Sequence, residues 1–167
     1  MFDAIDRRIL QALQANARVS NADLSRDLGM APSAILERVR KLEQRGIVLG
    51  YEARLAPRAV GLGLTAFVFV RADDRIGPGK SADALIAIPE VQEVHNVAGE
   101  DCYLVKLRTR DTDHLARVLR DGIAAIPTIL STKTTIVLTT MKETARLALH
   151  QLEDAADADG SETDAAT

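Results

Sequence analysis

The sequence predicts an α+β protein with two domains, an N-terminal winged helix-turn-helix followed by a ferredoxin-like βαββαβ domain. Three observations carry this prediction. Residues 20–45 contain two apolar runs at helical spacing with a glycine between them. Residues 64–140 alternate strand and helix patterns in the order βαββαβ. The proline and glycines within residues 57–63 mark a boundary between these two regions.

The first domain begins with a predicted helix over residues 3–15, followed by helices over 21–28 and 32–44. Gly29 falls where the second helix must end, because a residue without Cβ turns sharply at the least cost. Pro32 opens the third helix, where its missing N–H is not needed. The last two helices share an apolar face made of Leu24, Leu28, Met30, Ile35, Val39 and Leu42. The pattern is a helix-turn-helix, which lays its last helix in the major groove of DNA.

The opposite face of the third helix is the predicted DNA contact. Its residues are Ser33, Ala34, Glu37, Arg38, Lys41 and Arg45. We expect Arg38 to reach a guanine edge bidentately, while Lys41 and Arg45 suit phosphates. The alternative is a solvated face on which Glu37 and Lys41 pair at i,i+4 spacing. The glycine turn and the preceding helix favour the DNA interpretation.

Charge is distributed unevenly along the chain. The net charge is −3, yet residues 1–58 hold ten Lys/Arg and seven Asp/Glu. Only this half has the sign that DNA requires. Because the excess is small, useful affinity calls for two or more copies of the domain acting together.

Other classes of protein fit the sequence poorly. The single cysteine, Cys102, favours a reducing cytoplasm, and no apolar run approaches the length of a membrane helix, so we expect a cytoplasmic protein with no membrane partner. The three histidines have no metal-ligand spacing, and the paired carboxylates lack a nucleophile or base. We therefore expect no metal, no cofactor and no enzymatic activity.

The second domain is predicted from strands over residues 64–72, 91–97, 102–109 and 131–140, with helices over 81–88 and 112–126. Its sheet would leave one face bare, so a dimer is expected. The predicted boundaries are 1–50 for the DNA-binding domain, 51–63 for a linker strand and 64–142 for the βαββαβ domain. Residues 47–55 are interpreted as wing strands or a strand leading out. A helix over 143–152 and an acidic, disordered tail over 153–167 follow, the tail serving solubility in preference to acting as an autoinhibitory DNA mimic.

The chain resembles the Lrp/AsnC (leucine-responsive, feast/famine) transcriptional regulators from about residue 2 to residue 149. The resemblance rests on four segments in the right order: IDRRILQALQANARVSNADLS, LERVRKLEQRGIVLGYEARL, GEDCYLVKLR and TKTTIVLTTMKET. It implies a winged helix joined to a RAM-type domain that binds an amino acid. It also implies homodimers that assemble into octamers or higher forms. A dimer in turn requires a near-palindromic operator in double-stranded DNA.

The resemblance further places an amino-acid effector between dimers, at a turn and the last strand. The corresponding residues are Asn96, Val97, Ala98, Gly99, Glu100, Asp101, Cys102, Tyr103, Thr132, Thr134, Ile136 and Val137. The chain departs from the family pattern at Cys102, where an acid is common. It departs again at Ala31, where a serine usually caps the recognition helix.

Two other functions compete with an amino-acid-responsive regulator. One is an architectural protein that compacts DNA with little sequence preference. The other is an enzyme resembling the sirohaem decarboxylases of the same scaffold. The recognition helix looks intact and only His95 lies near the effector turn, so the sequence favours the regulator.

Overall fold

The computed structural model describes residues 3–73 and 79–149, which fall into two compact units. The first unit spans Met1–Ala53 together with Glu143–Thr167, and the second spans Arg54–Lys142. The second unit begins within the predicted linker. Residues 143–149 belong to the first unit although they follow the second domain in the chain. The predicted acidic tail and most of the loop at 77–79 lie outside the described residues.

The first unit contains the three predicted helices, α1 (Ala4–Ala15), α2 (Asn21–Leu28) and α3 (Pro32–Gln44). Asp3 and Asp6 form a capping box at the start of α1, and Ser20 caps α2. Gly29 ends α2 with φ of 67°, in the left-handed region that favours glycine. Between the helices lies a small buried core made of Ile9, Leu10, Leu24, Ile35, Val39 and Leu42.

The prediction of wing strands within residues 47–55 is wrong. Residues 47–55 contain no strand and lead into a short 3-10 turn at Pro57–Val60. Ile47 and Val48 donate backbone hydrogen bonds to the Leu42 carbonyl, at 2.9 and 3.2 Å, and so close α3. A β-prone segment becomes a strand only when another strand pairs with its N–H and C=O groups. For the same reason the predicted linker strand over 51–63 does not form.

The second unit is a four-stranded antiparallel sheet with helices on one face, as the ferredoxin-like prediction requires. Its strands are β1 (Leu64–Ala72), β2 (Val91–Asn96), β3 (Tyr103–Thr109) and β4 (Ile129–Ile136), in the spatial order β2-β3-β1-β4. The helices are α4 (Lys80–Ile86) and α5 (Thr112–Arg117), and α5 continues as a π-helical stretch over Val118–Ile123. Alternate residues of β1 and β3 point into the core, which includes Val68, Val70, Val105, Leu107, Leu115 and Ile123.

Two predictions at the end of the chain need correction. Strand β4 ends at Ile136 instead of residue 140, and the next residue, Val137, donates its N–H to the Thr65 carbonyl at 2.9 Å. Residues 142–148 are not helical. Gln14 instead binds both backbone groups of Leu147. A helix as short as the one predicted here is only marginally stable, because forming its first turn costs more free energy than one hydrogen bond returns.

None of the helices in the described ranges is long and apolar enough to cross a membrane.

Candidate nucleic-acid interface and candidate effector site

Helix α3 exposes one side to solvent at the surface of the first unit. Ser33 and Glu37 lie on that side, and Ala34 is half-buried at its margin. Ala31 occupies the N-cap position with extended backbone (φ −64°, ψ 141°) but provides no side-chain cap. Pro32 has no N–H and the Ala34 N–H donates to the Ala31 carbonyl at 3.0 Å, so the Ser33 N–H is the group of the first turn that a phosphate oxygen can accept from.

Arg38 does not lie free on the exposed side, contrary to the sequence-based expectation. Its Nη1 atom is 2.8 Å from Asp3 Oδ2 and 2.7 Å from Asp6 Oδ1, and the side chain is 29% exposed. The bond from the Asp6 backbone N–H and the Arg38 guanidinium together lower the pKa of Asp3. Arg38 thus ties α3 to the capped end of α1, so the structure does not place it on the exposed side where the sequence predicted it.

The remaining predicted cations are exposed. Lys41 Nζ pairs with Glu37 Oε1 at 2.8 Å, and both side chains are about two-thirds exposed, so water and salt weaken the bond. Arg45 is exposed at the end of α3. Arg40 was missed in the sequence analysis, yet it is exposed and lies with Ser33 and Glu37 at i+3 and i+4 spacing. This helical spacing alone would have placed Arg40 on the exposed side of α3.

The predicted effector turn joins β2 to β3 and is held by its own backbone. The Cys102 carbonyl accepts bonds from the Val97 N–H and from Asn96 Nδ2, both at 3.0 Å. Gly99 has φ of 134°, and no atom lies within 4 Å of the position a Cβ would take. Ala98, Gly99 and Glu100 are exposed. The turn therefore has an open side on which a small molecule can approach the backbone.

Two predicted effector residues face inward. The Tyr103 side chain is 1% exposed in the core, and its hydroxyl accepts a bond from the Gly79 N–H at 3.4 Å. The Cys102 thiol donates to the Ala72 carbonyl at 3.3 Å. These two side chains are therefore held within the second unit, and the exposed part of the turn is residues 98–100.

The last-strand residues lie apart from the turn. Strand β1 separates β3 from β4, so the two flanking strands are about 10 Å apart. Thr132 is level with Tyr103 through Val70. Ile136 lies level with Leu107, about 13 Å further along the sheet. One chain therefore does not bring the predicted effector residues together around one small molecule.

The described residues, 3–73 and 79–149, contain no group of three or more His, Cys, Asp or Glu side chains placed to hold a metal ion.

Comparison with known proteins identifies both units. Residues 2–43 match the AsnC-type helix-turn-helix domain, and residues 65–147 match the Lrp/AsnC ligand binding domain. The leucine-responsive regulatory protein of Haemophilus influenzae is 37% identical over 151 residues, which cover 89% of this chain and 90% of that protein. The chain belongs to the Lrp/AsnC family. As a family member it is a transcriptional regulator with a helix-turn-helix DNA-binding domain.

Solved structures of Lrp/AsnC-type regulators share the fold over nearly their whole length. A transcriptional regulator from Neisseria meningitidis, in complex with L-methionine, has a TM-score of 0.82 and 32% identity, covering 91% of this chain and 99% of that one. A feast or famine regulatory protein from Mycobacterium tuberculosis, also complexed with L-methionine, has a TM-score of 0.80 and 34% identity, covering 88% and 99%. The assignment therefore extends to both domains in the same order.

Proposed function

We propose that this Lrp/AsnC regulator binds operator DNA through the exposed side of α3 and that a free amino acid bound to the second unit changes its DNA binding or assembly. The single observation that carries the sensing part is the exposed turn at Gly99. Two similar regulators are complexed with L-methionine. The proposal places the protein among binding proteins and not among enzymes.

The DNA face follows from exposure and charge. Ser33, Arg40, Lys41 and Arg45 are exposed on or beside one side of α3. The uncapped first turn of α3 adds the Ser33 N–H as a donor for phosphate. In this arrangement Arg40 takes the base-reading role that the sequence suggested for Arg38, since the Arg38 guanidinium is bound by two carboxylates.

The effector site follows from the turn and from the distance to β4. Backbone N–H groups beside Gly99 can hold an α-carboxylate, and Glu100 and Asp101 supply negative charge for an α-ammonium group. Because β4 of the same chain lies across β1, the apolar wall around Ile136 and Val137 comes from a second copy. The complete site therefore forms only between chains, as expected for a homodimer that assembles further.

A thermal-shift screen of the standard amino acids tests the sensing role. We expect a concentration-dependent rise in melting temperature with a few related amino acids, because a ligand that binds only the folded state stabilises it. Calorimetry on the Gly99→Trp variant then tests the location. The indole would fill the open side of the turn, so binding should be lost while the variant still binds DNA. Unchanged amino-acid binding would place the site elsewhere.

A mobility-shift assay tests the DNA face. Arg40→Ala should weaken operator binding by about 1–3 kcal/mol and relax the base preference at one position of each half-site. Lys41→Ala should weaken binding to every sequence and reduce the salt dependence. If both variants bound DNA like the parent protein, α3 would not be the contact surface.

A further inference from the structure

The acidic segment 153–167 has no role in the function proposed above. It contains six Asp/Glu and no Lys/Arg, and the last basic residue of the sequence is Arg146. The segment lies outside the described residues. The structure describes the stretch of chain that leads toward it, up to residue 149.

Residues 146–149 are attached to α1 of the DNA-binding unit. Gln14 Nε2 donates to the Leu147 carbonyl at 3.3 Å, and the Leu147 N–H donates to Gln14 Oε1 at 2.7 Å. Arg146 Nη2 donates to the Ala15 carbonyl at 3.2 Å. Leu149 packs against the apolar core of this unit. These contacts, here called the α1 clip, start the acidic segment on the helix-turn-helix unit.

The same unit exposes cations that its own carboxylates do not neutralise. Arg38 and Arg26 are paired with aspartates, and Lys41 is paired with the exposed Glu37. Arg40 and Arg45 are exposed and form no ion pair with any carboxylate of residues 3–73 or 79–149. Both lie on α3, which is the proposed DNA face. A nearby polyanion would therefore meet unneutralised positive charge there.

We propose that the acidic segment 153–167 binds the exposed cationic side of α3 in its own chain and competes there with DNA phosphate. The 18 residues from 150 to 167 are enough to reach about 20–25 Å from residue 149, by the root-mean-square length of an unstructured chain. Helix α3 is about 20 Å long. Attachment at the α1 clip holds the segment at an effective concentration on the order of millimolar.

The inference goes beyond the proposed amino-acid sensing, but it rests on α3 being the DNA face. It predicts that the parent chain binds DNA more weakly than a variant whose segment 153–167 carries no acidic residues. Competition of this kind acts most on weak, non-specific binding, which consists largely of phosphate contacts. The segment would thus favour operator sites, where base contacts add affinity, over bulk DNA.

The first experiment compares the full chain with a variant of equal length in which all six acids are replaced. The substitutions are Glu153→Gln, Asp154→Asn, Asp157→Asn, Asp159→Asn, Glu162→Gln and Asp164→Asn. Fluorescence anisotropy with a non-specific duplex should show about fivefold tighter binding at about 50 mM salt. The difference should disappear by about 300 mM salt because of screening. Equal affinities at low salt would overturn the proposal.

The second experiment separates docking on α3 from a general effect of net charge. Gln14→Ala removes both hydrogen bonds to Leu147 and leaves the net charge unchanged. In the parent chain, Gln14→Ala should tighten DNA binding by part of the amount that the six substitutions do. In the six-acid variant it should leave DNA affinity unchanged. Thermal melts confirm that each variant folds. If the six substitutions tightened DNA binding and Gln14→Ala did not, docking of the segment through the α1 clip would be overturned. Absence of DNA binding in every variant would instead refute the DNA face itself.

Discussion

At the scale of single residues, Arg38 shows how a charge on a helix surface changes its role in three dimensions. A helical projection places it beside Lys41, where guanine recognition is plausible. In the folded unit it lies at the edge of the buried face and meets Asp6, whose side chain is only 14% exposed. A cation between two carboxylates at the capped start of α1 connects the recognition helix to the helix that supports it.

Arg38→Ala should therefore destabilise the first unit by about 1.5–3 kcal/mol, the range for hydrogen bonds to charged groups. Urea unfolding of the full chain checks this value. Arg45→Ala is the matched control, since it removes an exposed cation of the same helix and should leave stability nearly unchanged. Unchanged stability in Arg38→Ala combined with a loss of sequence preference would restore the guanine-reading interpretation.

Ala31 is a second residue whose effect is local. Its backbone already has the extended conformation of an N-cap, but it offers no oxygen to the N–H groups of the first turn of α3. Ala31→Ser should raise the stability of the protein by about 1 kcal/mol. Ala22→Ser, at an exposed position within α2, serves as the control and should not stabilise. If both variants melted at the same temperature as the parent, the cap would contribute nothing here.

At the scale of elements, α5 begins at a side-chain cap that depends on pH. Asp111 Oδ1 accepts a bond from the His114 N–H at 2.7 Å. This bond lowers the pKa of Asp111, with smaller contributions from Arg110 and Arg117. A carboxylate whose folded-state pKa is depressed stabilises the fold above its ordinary pKa. That contribution is lost as the pH falls through the folded-state value.

Asp111→Asn isolates this pH dependence, because asparagine caps helices about as well as aspartate but does not titrate. We expect melting temperatures close to those of the parent at neutral pH and a shallower loss of stability below about pH 4. Asp111→Ala should be less stable than both at neutral pH and should approach the parent in acid. Parallel acid transitions for the parent and Asp111→Asn would show that Asp111 does not titrate with folding.

At the scale of the whole molecule, the outer face of the sheet indicates how chains associate. Phe67, Phe69 and Leu104 are only partly covered there. Lys133 Nζ lies 5.8 Å from the centre of the Phe69 ring. Lys106 pairs with Glu93 at 2.8 Å, so part of the face expected to be bare carries its own ion pairs. An apolar centre with a polar surround is typical of an interface.

We expect the protein to be at least a dimer through this face. Light scattering at micromolar concentration should give a mass of twice 18.0 kDa or more. Phe69→Glu should lower that mass by placing a charge in the interface. Ile86→Glu, at an exposed apolar residue of α4 on the helical side, should not. A monomeric parent protein, or equal masses for the two variants, would contradict an interface on the sheet.

Local pattern was sufficient to predict most of the fold. The bounds of α2 and α3 match the expectation, because the apolar spacing, Gly29 and Pro32 act over a few residues. The strands of the second unit also follow from their alternation, and the order βαββαβ leads to the observed sheet. The same segments were sufficient to indicate the family and the exposed turn at Gly99.

What the sequence did not determine depends on partners distant in the chain. Arg38 meets acids 32 and 35 residues away. Residues 142–148 lose their expected helix while Leu147 binds Gln14, 133 residues earlier. The predicted wing lacks a pairing strand, and β1 separates the two halves of the predicted effector site. Helical periodicity is set within one turn, whereas ion pairs, strand pairing and pockets are set by which distant segments meet, and only the tertiary structure decides that.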